Sequence, residues 1–159
     1  MKWWLMKSEP SEVSIEDLAQ APGQRLGWFG VRNYQARNFM RDDMAPGDLA
    51  FFYHSSCAVP GIAGIVKIVT PATPDPTQFD TASPYFDPKA QRETPRWVQV
   101  EVELVEKTRF VPLTELRTKP ELAGMILLRR GNRLSITPLA STEGEFLFNW
   151  LKGSATSSK

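Results

Sequence analysis

Arg96-Trp97-Val98-Gln99-Val100-Glu101-Val102-Glu103-Leu104-Val105-Glu106 is the stretch that decides the fold class. Val98, Val100, Val102 and Leu104 alternate with Gln99, Glu101 and Glu103, and a period of two puts one face of a strand in a core and the other in water. Upstream, Ile62 to Val69 is β-branched with Gly64 inside it, and Pro46-Gly47-Asp48 is a turn that launches a strand from Leu49 to His54. Lys2 to Met6 reads as an aromatic-rich first strand, and Leu134 to Thr137 as a closing one.

Helices are few and short. Ser14-Ile15-Glu16-Asp17 and Thr142-Glu143-Gly144-Glu145 carry a hydroxyl followed by a carboxylate that reaches back, the signature of a capped N-terminus. Asn33 is placed to cap a short helix from Tyr34 to Arg41, and Pro112 to open another. Strands outnumber helices, no regular βαβ alternation occurs, and glycine interrupts the strands. The pattern therefore predicts an α+β fold built on a strongly bent mixed sheet or pseudo-barrel with short peripheral helices.

The 159 residues suit one domain, expected over 1–152, followed by a small polar tail at 153–159 that should fray. Between Thr70 and Pro95 stand six prolines, yet Phe79, Tyr85 and Phe86 punctuate the stretch, so it is expected to pack on the core as an ordered excursion. With 42% hydrophobic and 23% charged residues the composition excludes wholesale disorder, collagen and coiled coil. The single cysteine suits a reducing compartment, and no stretch approaches a membrane span or a signal peptide, so the expectation is a cytoplasmic protein with no membrane partner.

Net charge is only +1, but its distribution is uneven. Arg25 to Arg41 holds four arginines and no acid, Leu122 to Thr142 holds three and no acid, and the remainder of the chain carries −6. The pattern permits one basic surface if the fold brings the two segments together. Weak long-range attraction predicts modest, salt-dependent affinity for nucleic acid.

The usual parts of an enzyme are missing. His54 and Cys57 are the lone histidine and cysteine, three residues apart in a strand-end loop, and they read either as a thiol with its base or as a partly buried thiol beside a polar histidine. A serine-hydrolase elbow, a phosphate loop and a dinucleotide fingerprint are absent, and Asp75, Asp80 and Asp87 lack the spacing of a calcium loop. No metal and no cofactor are expected. Two other readings stay open, a nucleotide- or RNA-directed hydrolase using His54 with Cys57, Asp48 or Glu9, and a protein-interaction module.

What remains is a binding vocabulary of Trp28, Gly30, Asn33, Tyr34, Asn38, Tyr53, His54 and Ser55 set among Arg32, Arg37 and Arg129-Arg130-Gly131-Asn132-Arg133. Aromatic faces stack on bases, amides and hydroxyls read base edges, and guanidinium groups hold phosphates. Trp3, Trp4, Trp97 and Trp150 sit at strand or helix positions that read as core.

Gly30-Val31-Arg32-Asn33-Tyr34-Gln35-Ala36-Arg37-Asn38 occurs in order with Lys7-Ser8-Glu9-Pro10, Phe52-Tyr53-His54-Ser55, Pro60-Gly61-Ile62-Ala63-Gly64 and Leu128-Arg129-Arg130-Gly131-Asn132-Arg133-Leu134-Ser135. Together these strings resemble the EVE domain family over about Lys2 to Trp150. The resemblance implies a PUA-like fold, similar to YTH and ASCH domains, and a non-catalytic module that reads a modified, flipped-out base of DNA or RNA against an aromatic wall. Carried over by residue, the base pocket draws on Lys7, Ser8, Trp28, Gly30, Val31, Arg32, Asn33, Asn38, Tyr53, His54 and Ser55, with Pro60 and Gly61 at its rim. Arg37, Arg129, Arg130 and Asn132 are implied as contacts to the phosphate backbone.

Overall fold

The computed structural model describes residues 1–157, with side chains described through Lys152. Its eight strands are β1 (Trp3–Ser8), β2 (Arg25–Gly27), β3 (Leu49–His54), β4 (Gly61–Ile68), β5 (Thr73–Pro74), β6 (Val98–Gln99), β7 (Glu101–Pro112) and β8 (Ile136–Leu139). The helices are α1 (Ile15–Gln20), α2 (Tyr34–Asn38), α3 (Leu113–Leu116) and α4 (Ser141–Ser157), joined by several one-turn 3₁₀ segments. Six strands form one mixed sheet in the order β2-β7-β4-β3-β1-β8, with β1 and β3 parallel and the other neighbours antiparallel, while β5 and β6 pair apart. The sheet is bent and does not close into a barrel, since β2 and β8 remain its edges.

Both faces of the sheet are covered, which is why β1, β3 and β4 read as nearly continuous apolar runs. Trp4, Met6, Phe52 and Val66 face one core with Ile15 and Leu18 of α1, Ala36 of α2 and Trp28. Trp3, Leu5, Phe51, Tyr53 and Ile65 face the other, closed by Leu116 of α3 and by Leu147 and Leu151 of α4. Irregular pairing between Phe52 and Tyr53, Ile62 and Gly64, and Ile65 and Val66 supplies the bend. At Gly64 a Cβ would lie 2.7 Å from the Ile15 side chain and 2.9 Å from the Glu106 carbonyl, so only glycine lets α1 settle against β4.

The deciding stretch is a strand, interrupted once. Val100 and Val102 are buried, but at Val100 the chain leaves one sheet for the other, its carbonyl accepting the Trp28 amide at 2.7 Å. β7 then continues to Pro112, well past the expected end at Glu106. The capping box of α1 is complete, with Asp17 N donating to Ser14 Oγ and Ser14 N to Asp17 Oδ2. Asn33 caps α2 through Ala36 N, after which a wider turn from Phe39 to Asp43 replaces the expected last α-helical turn. α4 starts at Ser141, one residue before the expected Thr142 cap, and the carboxylate that reaches back is Glu143, accepting from Ala140 N, in place of Glu145 to Thr142. The closing strand falls two residues later than expected, at Ile136–Leu139, and β2 was not foreseen. Side chains of the tail from residue 153 lie outside those described.

Candidate nucleic-acid site

Because β1 and β3 run parallel side by side, their C-terminal ends emerge together, and a cavity of about 440 Å³ opens there. Its wall takes Lys7, Ser8 and Glu9 from the end of β1, Glu12 and Val13 from the turn before α1, and Ser55 and Ser56 from beyond β3. Leu26 to Asn33 cross it as the β2–α2 connection, Tyr85 approaches from the Pro-rich excursion, and Arg133 and Ser135 from the segment before β8. The size is that of a small-molecule site.

The β2–α2 connection is held in place from the excursion. Asp75, fully buried, accepts from Gly30 N at 2.8 Å and from Arg32 Nη1 at 3.1 Å, while its other oxygen takes Thr77 N and Thr77 Oγ1. Arg32 also donates to the Tyr85 carbonyl and Thr77 Oγ1, so its guanidinium is a strut of the wall. The excursion is itself fixed by Gln78, also fully buried, which donates to the carbonyls of Asp75 and Trp97 and accepts from the Arg96 and Trp97 amides. It is thus the ordered, packed segment that its aromatic residues implied.

Trp28 is 7% exposed, lines the cavity, and is set edge-on against Phe52 with ring centroids 5.3 Å apart. Tyr85 supplies a second ring. It lies over Gly30, where φ is 83° and a Cβ would meet the ring at 2.9 Å, and its hydroxyl donates to the Glu12 carboxylate. Burial and then Glu12 push the Tyr85 hydroxyl up to about 12, so the phenol stays protonated and the bond to Glu12 persists at neutral pH. Ser8, in the cavity wall, donates its Oγ hydrogen to the Val13 carbonyl at 2.7 Å. Lys7 has its pKa lowered by burial.

Of the residues implied for the base pocket, Lys7, Ser8, Trp28, Gly30, Val31, Arg32, Asn33 and Ser55 meet at this cavity. Asn38, Tyr53, His54, Pro60 and Gly61 do not line it. Tyr53 projects into the opposite core, where burial raises its hydroxyl to about 12. His54 Nε2 accepts the Ile15 amide at 3.2 Å, and burial lowers the imidazole's pKa. Asn38 Oδ1 accepts from Arg37, the Pro60 carbonyl accepts from Leu113 N, and Gly61 passes so close to β7 that a Cβ would lie 2.3 Å from the Val111 carbonyl. Cys57 Sγ turns to its own loop, 3.6 Å from the Val59 carbonyl, and no group of metal-ligating side chains occurs among the described residues.

Among the implied phosphate contacts, Arg37 is stacked over Tyr34 and donates to the Arg96 carbonyl. Arg129, Arg130 and Arg133 are exposed. Theirs are the arginine side chains without a hydrogen bond, ion pair or ring contact among the described residues; Arg25, Arg41, Arg92, Arg96, Arg109 and Arg117 all have one. The two acid-free segments do converge, since Arg32 and Arg133 both border the cavity. Asn132 accepts from Leu134 N and so shapes the turn that carries these arginines. Of these lining residues the sequence singled out Arg133 for binding but not Tyr85 or Glu12; the aromatic punctuation of the excursion was the available signal for Tyr85.

A match to the EVE domain family model runs over residues 2–150. The chain belongs to the EVE domain family. Human thymocyte nuclear protein 1 is 46% identical over 92% of this chain and 72% of its own length, and the chicken protein of that name is 47% identical over 92% and 67%. Among solved structures, a Leishmania major protein matches with a TM-score of 0.90 at 40% identity, covering 98% of this chain and 97% of its own. Human THYN1 protein in complex with 5-methylcytosine-containing DNA matches at 0.87 with 45% identity, over 96% and 98%. The YTH domain of Mmi1 shares the fold at a TM-score of 0.60 and 9% identity, which places the EVE domain among PUA-like architectures.

Proposed function

We propose that this EVE domain binds DNA and reads a modified base, 5-methylcytosine or a close chemical relative, by drawing it out of its stack into the cavity. The observation that carries this reading is the complex of human THYN1 protein, alike over nearly its whole length, with 5-methylcytosine-containing DNA. Extruding a base costs a few kcal/mol, and stacking on one aromatic ring returns about 1–3 kcal/mol. Trp28, already fixed by Phe52, offers that stack without first having to be ordered. Val13, Leu26 and Val31 give the wall an apolar share against which a methyl group can be buried. At about 0.8 kcal/mol per buried carbon this amounts to about fourfold in affinity, so the methyl group alone supports only modest discrimination. Arg129, Arg130 and Arg133, held by no acid, hold the flanking phosphates.

Tryptophan fluorescence tests this with single-stranded oligonucleotides carrying one central cytosine or 5-methylcytosine, at two salt concentrations. A preference for the methylated strand that survives the higher salt is the expected result. Equal binding that salt erases in both strands would reduce the activity to phosphate contact and overturn the reading.

A further inference from the structure

Lys7 is an unusual lysine. Its backbone is pinned inside the sheet, level with Tyr53 of β3 on one side and donating to the Ser135 carbonyl at 2.8 Å on the other. Its side chain is half-buried in the cavity wall, and among the described residues Nζ has no hydrogen bond and no ion pair. The cavity does contain charged neighbours. Glu12 is taken by the Tyr85 hydroxyl, Glu9 makes no ion pair with Lys7, Arg32 is neutralised by Asp75, and Arg133 stands exposed at the rim. Burial lowers the Lys7 pKa, in keeping with an ammonium that no carboxylate pairs.

An ammonium taken partly out of water with nothing to pair with is destabilising unless a ligand completes it. Resting on the base-reading function above, we infer that Lys7 is a specificity-determining contact that pairs with an anionic oxygen of the nucleotide held in the cavity. Two parts of a nucleotide supply such an oxygen. One is the phosphodiester flanking the extruded base, and the other is an acidic substituent on the base itself, as in 5-carboxylcytosine. With the second, the cavity ranks acidic modifications above the methyl group, since a charge-assisted hydrogen bond inside a half-buried site outweighs the burial of one methyl.

The test is a set of coupling cycles with the full chain, wild type and Lys7→Gln, against three oligonucleotides. The first carries 5-methylcytosine, the second carries it with neutral methylphosphonate linkages on both sides, and the third carries 5-carboxylcytosine. If the phosphate is the partner, the neutral linkages weaken wild type at least fivefold more than Lys7→Gln. If the base substituent is the partner, 5-carboxylcytosine binds wild type at least fivefold tighter than 5-methylcytosine, and Lys7→Gln loses that preference. Lys7→Arg retains a share of either effect, and the thermal midpoint of Lys7→Gln stays at or above wild type because a desolvated charge has been removed. Binding in which Lys7→Gln is coupled to neither change overturns the inference alone. No binding of any strand by wild type overturns the function on which it rests, and the inference with it.

Discussion

Arg32 Nη1 and Asp75 Oδ2 lie 3.1 Å apart, joining the β2–α2 connection to an excursion 43 residues further along the chain. The carboxylate is fully buried and the guanidinium about a fifth exposed, and Gly30 N and Thr77 complete the shell around the acid. Removing one partner of such a pair leaves a charge without compensation, which costs about 3 kcal/mol. Asp75→Asn should therefore lower the unfolding free energy measured in urea by about that much, and, because the wall of the cavity is built on this pair, also weaken oligonucleotide binding. An Asp75→Asn protein as stable as wild type would show that Arg32 finds water without penalty.

Tyr85 and Gly30 form a second such relationship, a ring lying on a residue that has no side chain. Gly30→Ala puts a methyl group where the ring now sits, on a backbone with φ of 83° that alanine disfavours. If Tyr85 walls the base site, Gly30→Ala and Tyr85→Ala should each weaken oligonucleotide binding about tenfold, the lower end of what one stacking partner contributes. Tyr85→Phe keeps the ring and loses the bond to Glu12, and should retain most of the affinity. Parallel titrations of the three variants decide it, and unchanged affinity in Tyr85→Ala removes the ring from the site.

The arginine assignment makes a quantitative claim about salt. On single strands each phosphate neutralised contributes about 0.7 to the slope of log K against log salt concentration. Arg129→Gln, Arg130→Gln and Arg133→Gln should each flatten that slope by up to about 0.7, with fold stability nearly unchanged because these side chains make no hydrogen bond, ion pair or ring contact among the described residues. Arg37→Gln should behave in the opposite way. It removes the bond to the Arg96 carbonyl and the stack on Tyr34, so it lowers stability and leaves the slope nearly as in wild type. Measured slopes at four salt concentrations separate the two kinds of arginine.

Much of the architecture was legible because it is written in local periodicity. The alternation through Val98, Val100 and Val102, the Ser14 capping box and the Asn33 cap all act within a few residues, and each appears where the pattern placed it. β2 was not legible, since Arg25-Leu26-Gly27 is too short to carry a period and becomes a strand only because Glu103 to Glu101 offer it an edge. Eight of the thirteen residues expected in the base pocket line the cavity, and reading whole strings as units is what grouped the other five with them. Phe52, Tyr53 and His54 are consecutive on a strand, so their side chains alternate between two faces, and Tyr53 belongs to the core under α3 and α4. Tyr85 reaches the cavity through a long-range pair, Arg32 with Asp75, that no local pattern encodes.

His54 gives the fold a pH dependence whose sign follows from its bond to α1. In the unfolded chain an imidazole titrates near 6.5, whereas burial lowers that value in the native protein, and Nε2 must stay unprotonated to accept the Ile15 amide at 3.2 Å. Glu16, on α1, opposes the shift without cancelling it. As pH falls, the unfolded state therefore takes up its proton first. The contribution of His54 is complete above pH 6.5 and is lost as pH drops through the lower native value, at up to about 1.4 kcal/mol per pH unit. Urea midpoints between pH 8 and pH 5 should fall for wild type below pH 6.5, and the fall should be shallower for His54→Gln, whose amide oxygen can accept the same N–H without titrating. Identical curves for the two proteins would mean that the imidazole titrates alike in the folded and unfolded states.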